Sequence, residues 1–290
     1  MDLFSEKHTP MIINRNNLSR LFDFIDMFPH FIIGSNSDLP ITGGSILDHE
    51  HFQGGDHIFP MMKREVKETF KSKKYPNIQI GLLDWYNSTI LLRSKNREDI
   101  LNLTMDIINA WYKYDNLDLD ILSNSEGKRH NSITPILRKV GDEYLFYVML
   151  RNNRQDDEYP DGIFHAHPEY HHIKKEGIGL IEAMGLFILP ARLKKEFEGI
   201  KEYLEGKKSL DVTELSNPDN MLAKHKDMII ELTNTYGFNN SEESAEKAVK
   251  SYVNKACEEI LECTAVFKNT GIGQAAFDKF MQDGLKLKKV

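Results

Sequence analysis

The sequence predicts an α+β fold in which residues 30–190 build a mixed or antiparallel sheet and the C-terminal third is helical. Three observations carry this. Short apolar runs rich in β-branched residues, separated by turn formers, crowd the stretch before Pro190. Two segments with helical spacing, near Leu18 and Arg97, interrupt them. After Pro190 the strand-like runs cease and charged, helix-periodic segments take over.

Leu18, Leu21, Phe22, Ile25 and Phe28 fall on one helical face, so a helix is expected over Leu18–Phe28, capped by Asn16 or Asn17 and stopped by Pro29. Phe31–Ile33 reads as a short strand and Gly34–Gly44 as a loop of turn formers. Ser45–Gln53 reads as a strand ended by Gly54-Gly55. Val66, Glu68 and Phe70 alternate with polar residues, and Ile78–Trp85 and Thr89–Leu92 are strands parted by Asn87-Ser88. Arg97–Tyr112 is a helix opened by Asn96 and Asp99 in capping-box-like spacing. Ser132–Lys139 and Tyr144–Leu150 form a hairpin about Gly141-Asp142, and Gly162–His167 is a further strand. Helices are expected over Ala191–Gly206, Asn220–Tyr236, Ser241–Lys268 and Gln274–Lys286. Two regions follow, 1–190 and 191–290, with a boundary within 190–215 unless the helices pack back on the sheet as one domain.

The chain has 290 residues, 40% of them hydrophobic, enough to bury a sizeable core. With 37 Lys plus Arg against 44 Asp plus Glu, the net charge of −7 argues against a nucleic-acid binder, which would show a basic face. No apolar run approaches the roughly 18 residues of a membrane span. Met1–Glu6 lacks the basic and apolar regions of a leader, so a cytoplasmic protein is expected. Cys257 and Cys263, six apart on a predicted helix, point in different directions and are expected to be reduced.

The chemical signal lies in Gly43-Gly44-Ser45-Ile46-Leu47-Asp48-His49-Glu50-His51-Phe52-Gln53-Gly54-Gly55. On a strand the side-chain period is two, so His49, His51 and Gln53 share one face, while Asp48, Glu50 and Phe52 share the other. A neutral imidazole attacks phosphorus without prior deprotonation, since its ordinary pKa is about 6.5. If its other nitrogen donates to a backbone carbonyl, the attacking tautomer is set. Gln53 can donate to a phosphoryl oxygen without adding a competing nucleophile. The flanking glycine pairs would let phosphate oxygens approach backbone N–H groups. The competing reading is a strand facing a polar cleft or a metal.

His49-x-His51-x-Gln53 resembles the transferase branch of the histidine-triad superfamily, where glutamine replaces the last histidine. FPHFIIGSNSDLPITGGSILDHEHFQGG (residues 28–55), HNSITPILRK (130–139), LRNNR (150–154) and FHAHPEYHHIKKEGIGLIEAMGLFILPARL (164–193) resemble hexose-1-phosphate uridylyltransferases of the Gram-positive type. The likeness is strong over residues 1–200 and looser in the C-terminal helices. It implies a histidine-triad-like fold and a transfer of UMP from UDP-glucose to galactose-1-phosphate through a uridylyl-histidine. His51 takes the place of the nucleophile, Gln53 that of the amide on the transferring phosphoryl group, and His49 that of the supporting histidine. Asn36, Gly44 and Ser45 lie where the nucleotide phosphates are met. Members of this family are longer, and the resemblance places this chain at their second half, so an N-terminal half and a homodimer are open as partners.

A second constellation, His165-Ala166-His167 with His171 and His172, reads as another His-x-His strand. Three readings stay open: a metal site, contact with phosphate or sugar by these histidines and Arg151 or Arg154, and a hydrogen-bonded turn. A more distant zinc-containing type of the family implies, by analogy, a zinc or iron held by His130, His165, His167 and either Glu65 or Glu68. The LRNNR run is expected to end a strand and point into a loop, where an anion-binding arginine and a solvated one are both open. Two other functions compete with transfer: a histidine-triad hydrolase or phosphorylase, which Gln53 weighs against, and a nucleotide-sugar-binding fragment inactive without a partner.

Overall fold

The computed structural model describes residues 1–6, 8–44 and 46–290. Among the described residues eleven strands run in chain order: β1 (Asp2–Phe4), β2 (Ile32–Gly34), β3 (His51–Gly55), β4 (Val66–Lys71), β5 (Gln79–Leu83), β6 (Thr89–Ser94), β7 (Asn124–Ser125), β8 (Lys128–Arg129), β9 (Asn131–Val140), β10 (Glu143–Asn152) and β11 (Lys288–Lys289). The helices are α1 (Arg15–Met27), α2 (Arg97–Trp111), α3 (Leu180–Ala183), α4 (Arg192–Leu204), α5 (Val212–Leu215), α6 (Lys226–Tyr236), α7 (Glu242–Cys263) and α8 (Gly271–Lys279). The chain divides into a sheet unit, residues 1–167, 177–187 and 261–290, and a helical unit, residues 168–176 and 188–260.

In the sheet unit nine strands lie in the order β1-β3-β2-β9-β10-β6-β5-β4-β11, every neighbouring pair antiparallel. The long β9–β10 hairpin pairs Val140 with Glu143, leaving Gly141-Asp142 as the two-residue turn. Gly141 takes φ +58°, as such a turn requires. The predicted α+β architecture is therefore present, with the sheet antiparallel rather than mixed.

α1 and α2 cover one face. Leu18, Leu21, Phe22 and Ile25 of α1 and Ile100, Leu103 and Ile107 of α2 pack with Ile133, Leu137, Phe146 and Val148 of the hairpin. Phe22 and Phe146 stack with ring centres 5.6 Å apart. α1 is capped by Asn14, whose side chain accepts from the N–H groups of Asn16 and Asn17, so the helix starts at Arg15, three residues before the predicted Leu18. Asn16 and Asn17 already hold helical positions, and the polar Arg15-Asn16 pair hides this start from an apolar pattern. Asn96 caps α2 as predicted. Where α2 meets the hairpin, Trp111 Nε1 donates to the carbonyls of Ser132 and Arg151, and Asn131 Nδ2 returns a bond to the Trp111 carbonyl.

Two predicted strands change. Only the end of Ser45–Gln53 pairs, as His51–Gly55, while the backbones of Leu47 and Glu50 bond to the irregular N-terminal segment instead of to a strand. Gly162–His167 is no strand. Gly162 N–H closes a turn onto the Tyr159 carbonyl with φ +119°, and His167 Nε2 folds back on the Ile163 carbonyl.

The loop after β2 leads into the site and is pinned by Asp38. Its carboxylate accepts from Ser132 Oγ (2.6 Å), Arg129 Nη2 (2.8 Å) and Ile13 N–H (3.2 Å). Asn36 Oδ1 accepts from Leu180 N–H (2.8 Å), which ties the loop to α3. Gly43 sits at φ +88°, where an added Cβ would lie 2.8 Å from the Ile178 carbonyl oxygen and 2.9 Å from Gly179 Cα.

In the helical unit Leu193, Ile200, Leu204, Leu215, Met228 and Ile229 share a core with Ala245, Val249 and Val253 of α7. Inside it the buried Glu196 carboxylate accepts from Arg192 Nη1, Lys224 Nζ and His225 Nε2. Burial raises the Glu196 pKa, but these three donors outweigh it and leave the carboxyl below its usual range. His225 is fully buried, and burial pulls its pKa from 6.5 down to about 4.

Gly43→Ala should destabilise the sheet unit by roughly 1–3 kcal/mol, since both the backbone conformation and the close backbone approach forbid a side chain; thermal unfolding against the parent chain measures it. A second expectation concerns acid. His225 stays neutral when folded but binds a proton below about pH 6.5 when unfolded. The unfolded state therefore takes up more protons between pH 6.5 and 4, and stability falls as pH drops through that window, by about 3 kcal/mol at its lower end. His225→Asn should flatten this slope in unfolding curves recorded from pH 7 to 4.

Candidate active site

β3 carries the site because its two faces do different work. Phe52 belongs to the core under α1, and an added Cβ on Gly54 would point at the Phe24 ring of the same helix. By strand alternation His51 and Gln53 project to the opposite face. β3 is held on both sides: Phe4 of β1 pairs with His51 and Asp2 with Gln53, while Gly34 of β2 also pairs with Gln53.

His51 is buried, and its Nδ1 lies 2.9 Å from the His49 carbonyl oxygen. A carbonyl oxygen only accepts, so Nδ1 carries the hydrogen, and in the neutral ring Nε2 bears the lone pair. His49 Nε2 lies 2.7 Å from the Ser5 carbonyl by the same logic, which makes Nε2 its protonated nitrogen. The Phe4 ring stacks on His51 at 5.8 Å between centres and meets His49 at 5.4 Å. The His8 ring lies 4.2 Å from that of His49. Gln53 is half-buried and its Nε2 donates to Asp2 Oδ1 (3.1 Å) in a solvent-exposed contact.

The N-terminal segment therefore builds much of the site. Besides β1, Ser5 N–H donates to the Glu50 carbonyl, Glu50 N–H to the Thr9 carbonyl and Met11 N–H to the Leu47 carbonyl. Ser5, His8 and Asp2 carried no sequence signal, because their parts depend on long-range pairing and, for Ser5, on a carbonyl that any residue has. Asp38 and Glu50 were legible only as polar residues.

Other expected site residues separate into groups. Asn36 and Gly44 stand in the loop after β2. Gly44 is required by that loop's own packing, since an added Cβ would meet the carbonyls of Ser37 (2.7 Å) and Leu39 (2.8 Å). Ser45 lies outside the described residues. Arg151 is near the end of β10, fully buried, with Nη2 donating to the Ile178 carbonyl (3.0 Å) in the loop before α3. Burial lowers its pKa to about 10, while the charge of Glu182 works in the other direction. Arg154 follows the strand and donates to the Asp120 carbonyl (2.7 Å).

The proposed metal donors do not fit one ion. His130 has both ring nitrogens engaged, Nε2 with Ser125 Oγ (2.5 Å) and Nδ1 with Asn153 Oδ1 (2.9 Å). His167 bonds to Ile163 and stacks on Tyr159 at 4.2 Å. His165 is buried in the same turn. Glu68 is on β4, ion-paired with Lys289 (2.8 Å), and Glu65 precedes that strand. Four strand spacings, roughly 19 Å, separate β4 from β9, beside which His130 sits. Among the described residues no three His, Cys, Asp or Glu side chains gather in a metal-holding group.

The chain matches the sequence profile of "Galactose-1-phosphate uridyl transferase, C-terminal domain" over residues 24–236. It is 48% identical over 286 residues to a galactose-1-phosphate uridylyltransferase of Caldanaerobacter subterraneus subsp. tengcongensis, covering 97% of this chain and 55% of that protein. Proteins of the same name from Clostridium acetobutylicum and Fusobacterium nucleatum are 44% and 43% identical, each over 96% of this chain and 55% of theirs. The chain thus spans about half the length of these relatives. The profile match covers the strand with its His-x-His-x-Gln string, the loop after β2 and the β9–β10 hairpin, and the chain belongs to the galactose-1-phosphate uridyl transferase family by that C-terminal domain.

Proposed function

We propose that the chain carries the nucleophile of a uridylyltransferase, which moves UMP from UDP-glucose to galactose-1-phosphate through a uridylyl-His51 intermediate. The observation that carries this reading is the 2.9 Å approach of His51 Nδ1 to the His49 carbonyl, which leaves Nε2 as the basic nitrogen. The names of the family and of its relatives supply the substrates.

In the first step Nε2 attacks the α-phosphorus of UDP-glucose. A P–N bond forms, the bond from that phosphorus to the bridging oxygen breaks, and glucose-1-phosphate leaves with the electron pair. The ring becomes cationic, and the His49 carbonyl stabilises it through the Nδ1 hydrogen, which stays in place. In the second step a phosphate oxygen of galactose-1-phosphate attacks the same phosphorus. The P–N bond breaks, UDP-galactose leaves and neutral His51 returns. A sugar phosphate is a stable anion, so its departure needs no proton, which suits an amide at position 53 better than an acid. The exposed bond from Gln53 to Asp2 is readily exchanged for one to a phosphoryl oxygen. Asn36, with Oδ1 committed to Leu180, would offer Nδ2 to a nucleotide phosphate, and Gly44 and Ser45 are proposed by sequence position to meet the same phosphates. Positioning and charge stabilisation thus supply the catalysis. No step is routed through a metal, because the candidate donors do not converge. No helix among the described residues is long and apolar enough to cross a membrane, and the proposed setting, with soluble sugar phosphates as substrates, is the cytoplasm.

Incubation with UDP-glucose, followed by intact mass under mildly basic conditions, should show the gain of one uridylyl group. His51→Asn should abolish the adduct, and galactose-1-phosphate should discharge it. Because the relatives are longer, the measurement is run with and without the remaining half of such a relative as a separate polypeptide. A parent chain that gains nothing in either arm, or a His51→Asn chain that still gains the group, refutes the reading. UMP released without any acceptor would indicate a hydrolase.

A further inference from the structure

Glu50 stands between His49 and His51 and is only 7% exposed. It points to the α1 side of β3, away from His51. Its Oε1 accepts from Asn17 Nδ2 (3.0 Å), and its Oε2 is ion-paired with Arg20. Asn17 is itself buried, in the first turn of α1, where the positive end of the helix dipole favours a carboxylate. Asn17 Oδ1 is buried and has no hydrogen-bond partner among the described residues, so the amide is oriented for Glu50 alone. A buried carboxylate costs more desolvation than an apolar side chain of the same volume, so stability does not explain a glutamate here.

The backbone supplies the explanation. The peptide joining His49 to Glu50 has its N–H on the Thr9 carbonyl (2.7 Å) and its C=O, that of His49, on His51 Nδ1 (2.9 Å). A trans peptide is planar with these two groups opposed, so anchoring residue 50 aims the His49 carbonyl. We propose that Glu50, clamped on α1 by Asn17 and Arg20, is a positioning residue that fixes this peptide and thereby holds His51 in the tautomer with its lone pair on Nε2. Glu50 does not touch the reacting atoms. The mechanistic value of the clamp rests on His51 being the nucleophile; the tautomer itself does not.

The test is nitrogen NMR of ¹⁵N-histidine-labelled full chain at pH 8, with His51 assigned by its absence from His51→Asn. The parent should show a protonated Nδ1 and an unprotonated Nε2. Glu50→Ala should shift the tautomer ratio by about fivefold towards the other form, the equivalent of one ordinary hydrogen bond. Glu50→Gln keeps an oxygen for Asn17 and should restore most of the parent ratio. Asn17→Ala removes the buried hydrogen bond of the clamp without changing residue 50, should shift the ratio in the same direction as Glu50→Ala, and replaces it if that variant unfolds. The uridylyl adduct should form more slowly in the clamp variants, in proportion to the fall in the fraction of His51 with its lone pair on Nε2 that the NMR reads, with UDP-glucose affinity unchanged. Folded clamp variants with the parent tautomer ratio overturn the proposal. Failure of the parent to form an adduct strikes only the uridylyl-transfer reading, since the NMR comparison decides the clamp without turnover.

Discussion

A carbonyl oxygen can accept a hydrogen bond but never donate one, and that asymmetry organises the site. The His49 carbonyl meets His51 Nδ1, so the proton lies on the nitrogen that faces the protein and the lone pair on the other. The arrangement needs His49, Glu50 and His51 to keep one backbone path. That path is held by β1 and β2 on either side of β3 and by carbonyls from the N-terminal segment. A neutral, correctly oriented imidazole needs no separate base to attack phosphorus.

The two faces of β3 divide the labour. Phe52 and Glu50 look towards α1, one into the apolar core and one onto Asn17 and Arg20. His51 and Gln53 look the other way. The strand is thereby bolted to a helix by residues that alternate with the chemical ones, so the groups that fix its position do not compete with the groups proposed to act. The same economy appears at the loop after β2, where Asp38 gathers three donors from Ile13, Arg129 and Ser132 and leaves Asn36 and Gly43 seated against residues 178–180.

Arg151 is a residue whose type suggests chemistry and which the architecture holds in place. An arginine near a strand end suggests an anion site, yet this one is wholly enclosed and spends Nη2 on the Ile178 carbonyl. His130 is similar, with a hydroxyl and an amide occupying its two nitrogens. In both cases the partners come from a distant part of the chain or from a local turn; Arg151 is enclosed, while His130 is half-buried.

Periodicity is a local property, and what it encodes was legible. The two helices on the sheet, the β9–β10 hairpin with its two-residue turn and the helical character after Pro190 follow from apolar spacing, caps and glycine. The shared face of His51 and Gln53 follows from a period of two. The length of β3 did not, because pairing needs a partner: the backbones of Leu47 and Glu50 bond to an irregular segment and only His51–Gly55 face strands. Gly162–His167 had strand-like composition but turns, since Gly162 adopts a positive φ and His167 bonds back to Ile163. The sequence by itself thus determined the long helices and the central hairpin and which residue to propose as nucleophile. Only the tertiary structure decided its tautomer, the tethering of Glu50 to α1 and the dispersal of the expected metal donors, because each depends on contacts between residues far apart in the chain or on backbone groups that every residue shares.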